Sequence, residues 1–590
     1  MSGPTTIWGL GFSEPARPLL ERLRQTRLVQ ATVHSGASPG PGTVLQQQWH
    51  QAEAFVVVAA CGLVTRLIAP LLSGKDDDPS VVVLDPEGRY AIPLLGGHAA
   101  GGEALSQRLA AALGGTAVIT GSSGATGRLA LDAFGSAWGW RRGSGDWSNL
   151  MHKAARQPVT LLQQGGLTTW QELAAAAELR VNPTSDEGAD LVISDQLGSG
   201  CRWHPPRLWL GMGCERHTSL EVLERLLLQT LEAHGLAQEA VAGLASIDRK
   251  GDEPALLELA ARHGWPLKLF SAAQLAPVPV PNPSVVVEQE MGTASVAEAA
   301  ALLAAGHQSN LRVAKTMLRG SGQGAATLAV AAAQQQWAPH RGALHLIGSG
   351  PGELGQLTSE AREVLSRCSA WVGYGLYLDL LEPLRRPDQL RLDGQLTRER
   401  ERCQQALQLA CQGIPVALVS SGDSGIYGMA GLALELWLGL AEADRPDIAV
   451  HPGISALQLA AARCGAPLMH DFCTISLSDR LTPWSVIERR LVAAAQGDFV
   501  VALYNPRSQG RAWQLPRAIE LLLQGRPGTT PVALARQLGR PEESISLFTL
   551  ATLPVARVDM LTLVLVGNSS TRAEAGKLVT PRGYPGAELN

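Results

Sequence analysis

The fold of this chain is decided by ALHLIGSGPGELGQLT, at 343–358, and VALVSSGDSGIYGMAG, at 416–431. Each stretch is typical of an apolar strand that runs into a glycine-rich loop. Glycine allows a positive φ and lets a ligand approach the main chain closely. Because ligands of open α/β sheets bind at loops that leave the carboxyl ends of parallel strands, we expect the two loops to form two walls of one small-molecule cleft.

The first loop has to be tested as a dinucleotide site, because Gly348 and Gly350 begin a GxGxxG pattern. The pattern fails at its sixth position, which is Glu353. In addition, Pro351 stiffens the turn where a helix N-terminus should begin to bind pyrophosphate. A dinucleotide is therefore not the predicted ligand.

The composition indicates a globular protein of several domains. Its 590 residues exceed what one hydrophobic core usually supports. Apolar residues make up 45 % and charged residues 17 %, which argues against disorder. A net charge of −4 gives no overall attraction to nucleic acid or to an anionic membrane, so we expect neither partner.

Neither a membrane segment nor a protein metal site is expected. No apolar run approaches the ~20 residues that span a bilayer. The N-terminus, MSGPTTIWGLGF, lacks a basic region followed by an apolar stretch, so we expect a cytoplasmic protein. The eight cysteines are scattered without a CxxC pair, which favours buried reduced thiols over a zinc site, an iron–sulfur cluster or a redox dithiol.

Strand-like and helix-like stretches alternate in residues 1–333, which predicts α/β units. Over 1–140 the predicted strands are TIWGLGF, AFVVVAA, SVVVLD and TAVITG, in a parallel, doubly wound sheet. Residues 141–205 look less regular, with a turn and one strand. A second α/β unit is expected over 206–333, with a helix at SLEVLERLLLQTLEAHG and Ser219 as its N-cap.

A linker is predicted at 334–342, where polar residues, proline and glycine predominate. The third unit is 343–590, with lobes at about 343–465 and 466–575. The predicted strands of the first lobe are LHLIG, AWVGYG, PVALVSSG and DIAVHPG, and those of the second are CTISLS, DFVVALYN, PVALAR and LTLVLVGN. The predicted fold class is therefore multi-domain α/β.

An ordered series of motifs covers nearly all of 343–584. It includes GSGPGELGQLT (348–358), WVGYGLYLDLL (371–381), SSGDSGIYGMA (420–430), HPGISALQLAAARCGAPLMHDF (451–472), LSDRLTPW (477–484), LYNPRSQGR (503–511) and TPRGY (580–584). With this series the segment resembles the tetrapyrrole methyltransferases, and in particular the precorrin-3B or cobalt-precorrin-3 C-17 methyltransferases. The resemblance implies a two-lobed, non-Rossmann fold, S-adenosylmethionine bound between the lobes, a tetrapyrrole substrate and a homodimer through this unit.

The resemblance also implies which residues bind the cofactor. They come from four motifs and are Gly350, Pro351, Gly352, Ser420, Ser421, Gly422, Asp423, Ile426, Ser455, Ala456, Leu503 and Tyr504. Two positions depart mildly from the usual pattern of the family: Glu353 stands where GPGD has aspartate, and Ser424 stands where GDPG has proline.

The implied substrate carries many carboxylates, and the implied reaction accompanies contraction of the macrocycle and leaves a lactone. Arg480, Arg507, Arg511 and Arg572 are candidates for bidentate pairing with carboxylates, and solvated surface arginines are the alternative. Positioning supplies much of the rate of methyl transfer to carbon. Asp471 in MHDF is a candidate base, with a structural capping carboxylate as the alternative.

A second series of motifs runs through residues 1–333. It comprises AACGLVTRLIAPLL (59–72), LLGGHAAGGEALSQRLA (94–110), FGSAWGW (134–140), LGMGCERHTS (210–219), ASIDRKGDE (245–253), LFSAAQLAPVP (269–279) and MGTASVAEAAALLAAG (291–306). With these motifs the segment resembles the cobalt-precorrin-5A hydrolases. That resemblance implies opening of the ring-A lactone and release of acetaldehyde.

Lactone opening requires an activated water and an acid or base near the acyl carbon. His98 and Glu103 lie on one glycine-rich loop that enters a helix, and Glu298 lies in a helix of small residues. We take these three as catalytic candidates, with a structural histidine and a solvated helix face as the alternatives. The loop TGSSGATG at 120–127 lacks the lysine of a P-loop, so nucleotide binding is not predicted.

The two resemblances together predict a bifunctional enzyme of corrin biosynthesis, in which cobalt enters only as part of the substrate. Two alternatives stay open. The methyltransferase could serve the oxygen-dependent route with metal-free precorrin-3B, or residues 1–333 could be a non-catalytic module that binds or scaffolds corrinoids.

Overall fold

The computed structural model describes residues 6–25, 28–74, 77–97, 100–120, 128–177, 179–181, 188–395, 398–508 and 510–585. Within these ranges the chain forms six β-sheets, three of them before residue 334 and three after it. Among the described helices, none combines the length and the apolar character needed to cross a membrane.

The first sheet is mostly parallel. Its elements are β1 (Ile7–Gly11), β2 (Ala31–Val33), β3 (Ala54–Val58), β4 (Ser80–Leu84), β5 (Tyr90–Leu95) and β6 (Thr116–Ala117), with helices α1 (Arg17–Gln25), α2 (Pro41–Gln48), α3 (Cys61–Ile68) and α4 (Gly102–Leu113). The order is β2-β1-β3-β4-β5-β6, and β5 runs antiparallel to β4. The prediction of a wholly parallel sheet is wrong here, because the short connection at 85–89 allows a hairpin but not a crossover.

The second sheet occupies the region that we expected to be less regular. Its elements are β7 (Arg141–Arg142), β8 (Thr160–Gln163), β9 (Arg180–Val181), β10 (Leu191–Ile193) and β11 (Cys201–His204), with helix α5 (Trp147–Ala154). These strands are too short to show a periodic pattern. Aromatic packing stabilises the unit instead, since Phe134 lies 5.2 Å from Trp170 and 6.0 Å from Trp203, measured between ring centroids.

The third sheet follows directly. Its elements are β12 (Leu208–Cys214), β13 (Val241–Ile247), β14 (Leu267–Phe270), β15 (Asn310–Gly320) and β16 (Gly324–Ala332), with helices α6 (Leu220–Ala233), α7 (Pro254–His263), α8 (Ala272–Leu275), α9 (Val285–Met291) and α10 (Val296–Ala305). Strands β12, β13 and β14 are parallel, and β15 and β16 form an antiparallel hairpin. Ser219 caps α6 as predicted, because its side chain accepts a hydrogen bond from the backbone of Val222.

The first lobe of the C-terminal unit is a fully parallel sheet. It contains β17 (Ala343–Gly348), β18 (Ala370–Tyr374), β19 (Leu390–Gly394), β20 (Pro415–Ser420) and β21 (Asp447–His451), with helices α11 (Ser359–Arg367), α12 (Gly375–Leu381), α13 (Glu399–Cys411), α14 (Ala430–Leu438) and α15 (Ala456–Cys464). The order is β19-β18-β20-β17-β21. All four predicted strands are confirmed. Because β17 and β20 are neighbours, their carboxyl-end loops lie side by side.

The second lobe is mixed. It contains β22 (Gly465–Ala466), β23 (Phe472–Ser476), β24 (Val500–Tyr504), β25 (Pro531–Arg536), β26 (Ser544–Thr549), β27 (Thr562–Val566), β28 (Arg572–Glu574) and β29 (Lys577–Val579), with helices α16 (Trp484–Gln496) and α17 (Gln514–Leu523). The main sheet has the order β23-β24-β27-β25-β26, and β22-β29-β28 form a small second sheet. The four strands predicted for this lobe are confirmed.

The predicted linker is packed between the units. Gln336 is only 1 % exposed, and helix α4 of the first unit packs against α11, where Arg108 Nε lies 3.7 Å from Glu363 Oε1. The unit boundaries that we placed along the sequence stay predictions. The C-terminal unit nevertheless contacts the units that precede it directly.

Candidate functional site

The two glycine-rich loops are joined to each other by backbone hydrogen bonds. The N–H of Gly350 donates to the carbonyl of Gly422 at 3.1 Å, and the N–H of Gly422 donates to the carbonyl of Gly350 at 2.8 Å. Both residues have a positive φ, of 74° and 66°. The loops therefore form one continuous wall rather than two walls of a cleft, because their strands are adjacent in the sheet.

Gly453, in the loop after β21, completes this wall. A Cβ atom at Gly453 would lie 2.1 Å from the carbonyl oxygen of Gly422 and 2.6 Å from that of Gly348. The N–H of Gly453 donates to Asp423 Oδ2 at 3.0 Å, and that of Gly425 donates to Oδ1 at 2.8 Å. Asp423 thus holds two loops in place through its carboxylate. Sequence reasoning did not select Gly453, although a glycine directly after a predicted strand was the available signal.

The second lobe supplies the facing wall. The Tyr504 hydroxyl accepts a hydrogen bond from the N–H of Leu457 at 3.0 Å, in the first turn of α15. The Tyr427 hydroxyl donates to the carbonyl of Thr474 at 3.0 Å, and the rings of Tyr427 and Tyr504 lie 5.1 Å apart. Burial raises the pKa of Tyr504, which keeps its hydroxyl neutral. Tyr427 and Tyr504 therefore connect the two lobes, and Tyr427 was not predicted.

A further contact between the lobes lies at the first loop. A Cβ atom at Gly352 would lie 2.9 Å from the carbonyl oxygen of Gly539, in the loop after β25. Pro351 is buried here, whereas Glu353 is exposed, with Oε2 4.0 Å from Arg463 Nη2. The glycines predicted in the first loop therefore allow the second lobe to approach, in addition to any contact with a ligand.

The remaining predicted cofactor residues divide into surface and interior positions. Ile426 is 39 % exposed beside Tyr427, and Ser455 caps α15 by accepting from the N–H of Gln458. Ser420 Oγ accepts from the N–H of Met429 at 3.3 Å. The half-buried residues are Ser421 and Ala456. Leu503 is fully buried in the core of the second lobe, so its side chain packs inside the lobe.

Two of the four predicted arginines lie together. Arg511 is 8 % exposed, and Asp479 and Arg480 are its charged neighbours. Burial lowers the pKa of Arg511, with the positive charge of Arg480 acting in the same direction and Asp479 opposing it. Among the described residues, no atom accepts a hydrogen bond from Arg511 Nη1. Arg507 donates to the carbonyls of Val555 and Ala556 at 3.1 and 3.2 Å.

Asp471 and Arg572 lie at the opposite edge of the second lobe. The carbonyl of Asp471 accepts from Val500, the first residue of β24, whereas Tyr504 is the last residue of that strand. At about 3.3 Å per residue, these two ends are roughly 13 Å apart. The guanidinium of Arg572 donates to the carbonyls of Ser569 and Thr571. The structure does not bring Asp471 and Arg572 to the cleft.

Of the three candidates in the first half, the structure describes Glu103 and Glu298, which lie in different units. His98 and residues 121–127 of the loop TGSSGATG lie outside the described residues. Glu103 is half-buried in the first turn of α4, and its N–H donates to the carbonyl of Gly97 at 2.8 Å. Glu298 lies in α10, which covers the third sheet and not the first.

Glu298 has the contacts of a structural carboxylate. Oε1 accepts from Asn282 Nδ2 at 2.8 Å and from the N–H of Lys315 at 3.0 Å, and Oε2 accepts from the N–H of Asn282 at 3.2 Å. Burial raises the pKa of Glu298, but these hydrogen bonds outweigh it and hold the pKa below its ordinary value. The charged carboxylate therefore ties a loop to strand β15.

Comparison with known proteins finds family models that match parts of both halves. Three family models match in order: Cobalamin synthesis G N-terminal at 43–124, Cobalamin synthesis G C-terminus at 208–331, and Tetrapyrrole (Corrin/Porphyrin) Methylases at 343–554. The chain is 48 % identical over 243 residues to a probable cobalt-factor III C(17)-methyltransferase of Salmonella typhimurium, covering 41 % of this chain and 99 % of that protein. The chain belongs to the tetrapyrrole methylase family.

Other relatives of this methylase carry related names. The chain is 43 % identical over 252 residues to a precorrin-3B C(17)-methyltransferase of Sinorhizobium sp, and the match covers 42 % of this chain and 98 % of the relative. It is 41 % identical over 257 residues to the cobalamin biosynthesis protein CobIJ of Mycobacterium bovis, covering 42 % of this chain and 49 % of that protein. The prediction that the chain is a fusion is confirmed: a cobalamin-biosynthesis methyltransferase follows cobalamin synthesis G domains.

Two solved structures are similar to parts of the chain. The methyltransferase CobJ is 37 % identical, covering 41 % of this chain and 100 % of that one, with a TM-score of 0.39. A putative cobalamin biosynthesis protein G homolog from Sulfolobus solfataricus is 21 % identical, covering 55 % of this chain and 97 % of that one, with a TM-score of 0.24.

Proposed function

We propose that the C-terminal unit uses S-adenosylmethionine to methylate C-17 of cobalt-precorrin-3, with contraction of the macrocycle, and that the N-terminal half opens the lactone of cobalt-precorrin-5A and releases acetaldehyde. The observation that carries the first activity is the 48 % identity along 99 % of a probable cobalt-factor III C(17)-methyltransferase. The second activity is supported by the two cobalamin synthesis G matches at 43–124 and 208–331.

The wall formed by the loops of Gly350, Gly422 and Gly453 fits S-adenosylmethionine. The loops approach so closely that a Cβ atom at Gly348 or Gly453 would have no space, so they can present main-chain groups to a ligand. Ile426 and Tyr427 add exposed apolar surface, at 39 % and 51 % exposure, against which an adenine ring can pack. When bound, the cofactor supplies a methyl group on a positively charged sulfur.

Residues of the second lobe fit the macrocyclic substrate. Leu481 is 98 % exposed and Trp513 is 52 % exposed, and the Trp513 ring lies 4.7 Å from that of Trp484. Arg480 and Arg511 can pair with peripheral carboxylates of a tetrapyrrole that lies on this apolar surface. Orientation of this kind can contribute as much as ~7–11 kcal/mol to a reaction between two bound groups.

Turnover by the full chain tests the methyltransferase. The protein is incubated with S-adenosylmethionine carrying a labelled methyl group and with either cobalt-precorrin-3 or metal-free precorrin-3B, and the products are analysed by mass spectrometry. We expect one labelled methyl group on the cobalt-containing product. Turnover of only the metal-free substrate would overturn the cobalt assignment and support the second candidate, which is favoured by the 43 % identity to a precorrin-3B C(17)-methyltransferase.

Acetaldehyde release from cobalt-precorrin-5A by the full chain tests the second activity. Release at a rate proportional to enzyme concentration is the expected result. If the corrinoid binds but no acetaldehyde forms, residues 1–333 are a corrinoid-binding module and not a hydrolase. The homodimer that the family resemblance implies is tested separately by sedimentation velocity of the purified chain.

A further inference from the structure

Two buried ionic side chains meet at the carboxyl edge of the third sheet. Lys250 and Glu253 lie in the turn that follows β13, and their side chains are 5 % and 1 % exposed. Lys250 Nζ lies 3.6 Å from Glu253 Oε2, and Arg216 Nη1, from the turn after β12, lies 3.6 Å from the same oxygen. The carboxyl ends of adjacent parallel strands are where open α/β sheets bind ligands.

One oxygen of Glu253 is fixed and the other has no partner. Oε1 accepts a hydrogen bond of 2.7 Å from the N–H of His217, which has a φ of 59°. Oε2 is buried, and no described atom donates a hydrogen bond to it. Distances of 3.6 Å are too long for hydrogen bonds, so two cations lie beside Oε2 while its hydrogen-bonding capacity stays unused.

The cost of burial argues that this arrangement is functional. A buried carboxylate and a buried ammonium are expensive unless each is paired at close range, and a separation of 3.6 Å satisfies neither fully. Two other contacts fix the guanidinium of Arg216: Nη1 lies 2.5 Å from Asp252 Oδ1, and Nη2 donates to the carbonyl of Arg249 at 2.8 Å. The surrounding contacts therefore hold Arg216 beside Glu253 Oε2 without a direct hydrogen bond.

Cys214, at the end of β12, is the other reactive side chain here. Burial raises the pKa of Cys214 to about 11, with the charge of Lys250 opposing this shift. The side chain is therefore a thiol and not a thiolate nucleophile near neutral pH. Glu253 is left as the group able to accept a proton, and Lys250 as the group able to bind a developing negative charge.

We propose that Glu253 and Lys250 are catalytic residues for hydrolysis of a lactone, and this inference rests on the proposed lactone-opening function. Glu253 Oε2 accepts a proton from water while the water oxygen forms a bond to the acyl carbon, and the Lys250 ammonium donates to the acyl oxygen. The bond between the acyl carbon and the ring oxygen then breaks, and its electron pair stays on the ring oxygen. That oxygen takes the proton back from Glu253, and the new carboxylic acid releases its own proton to solvent.

Acetaldehyde release from cobalt-precorrin-5A by full-length Glu253→Gln and Lys250→Met tests this inference. The glutamine keeps an acceptor for the N–H of His217. We expect kcat to fall about 100-fold or more in each variant, because general acid–base catalysis contributes on this scale. The matched controls are Glu258→Gln, whose side chain pairs with Arg262 on the surface of α7, and Lys577→Met on β29. Both controls should stay within about twofold of wild type.

Methyl transfer by the same preparations and their thermal unfolding show whether each variant is folded. If one variant fails to fold, the other still tests the inference. Lys250→Arg keeps the positive charge but replaces the ammonium by a guanidinium, so it tests whether positive charge alone is sufficient. An active wild type with a Glu253→Gln variant within about threefold of it would overturn the inference and leave the proposed function intact. A wild type that releases no acetaldehyde would overturn both.

Discussion

The side-chain amide of Gln336 donates a hydrogen bond of 2.7 Å to the backbone carbonyl of Gln412. The same amide nitrogen donates to the carbonyl of Trp138 at 2.7 Å, and Oε1 accepts from Trp140 Nε1 at 2.7 Å and from the N–H of Leu167 at 3.1 Å. One buried residue of the predicted linker thus connects the second sheet with the first lobe of the methylase.

Replacement of Gln336 by leucine should destabilise the contact between the two halves. It leaves buried donors and acceptors without partners, and each such group costs roughly 1–3 kcal/mol. We expect a lower melting temperature and unfolding in two calorimetric transitions instead of one. Gln334→Leu, at an exposed position two residues away, is the matched control. Equal melting temperatures for the two variants would contradict the connecting role of Gln336.

Replacement of Gly453 by alanine should weaken cofactor binding. The new Cβ atom would lie 2.1 Å from the carbonyl oxygen of Gly422, so the loop that carries Asp423 would have to move. We expect the Kd for S-adenosylhomocysteine, measured by calorimetry, to rise about tenfold or more, which corresponds to roughly 1.4 kcal/mol.

Gly431→Ala is the control for the change at Gly453. Gly431 lies in α14, and among the described residues its added Cβ would have no neighbour within 4 Å apart from the adjacent residues and the backbone of its own helix. Alanine within a helix is more stable than glycine by roughly 0.5–1 kcal/mol, so this variant should bind normally and melt slightly higher. Unchanged binding by Gly453→Ala would show that the cofactor does not depend on the packing of these loops.

Stability should decrease in acid partly because of His345. Its Nδ1 lies 3.1 Å from His451 Nε2, and His451 Nδ1 lies 2.7 Å from Glu360 Oε1. Burial lowers the pKa of His345 to about 3, and the charges of Arg367 and His451 add to this effect. The unfolded chain therefore binds a proton at pH values where the folded chain does not.

The free energy of unfolding should consequently fall as the pH decreases from about 6.5 towards 3, by as much as roughly 1.4 kcal/mol per pH unit for this histidine. Urea titrations at several pH values would measure how steeply the free energy of unfolding depends on pH. In His345→Gln this dependence should be weaker, by an amount that corresponds to the uptake of as much as about one proton on unfolding. The same slope in both proteins would mean that His345 is not responsible.

Arg511→Met should impair binding of the polycarboxylate substrate. The guanidinium of Arg511 is mostly buried beside Arg480, and one of its nitrogens has no acceptor in the described part of the chain. We expect KM for the tetrapyrrole to rise about tenfold or more with a smaller change in kcat, because a charge-assisted hydrogen bond contributes about 1.5–3 kcal/mol.

Arg517→Met is a suitable control for Arg511→Met, since Arg517 lies on α17 and pairs with Glu488 and Glu520. Its KM should remain close to that of wild type. A rise of the same size in both variants would point to a general effect of lost positive charge and not to a carboxylate site at Arg511.

The sequence by itself determined the fold class, the order of the units and the family of the C-terminal unit. Local patterns suffice for these: apolar runs such as PVALVS form β20, and the glycines that follow allow positive φ. The sequence predicted one strand of the second sheet, β10, but missed its other strands and β5, because a hairpin partner and strands of two to four residues have no clear period.

Only the tertiary structure decided which residues meet. It joined Gly350 to Gly422 as one wall and added Gly453 and Tyr427. It also placed Asp471 at the edge of the second lobe that lies away from Tyr504. The physical reason is that strand order and direction determine which loops share an edge of a sheet, and these depend on contacts between segments far apart in the chain. For the same reason, the meeting of Arg216 with Lys250 and Glu253 could not be read from the two motifs that carry them.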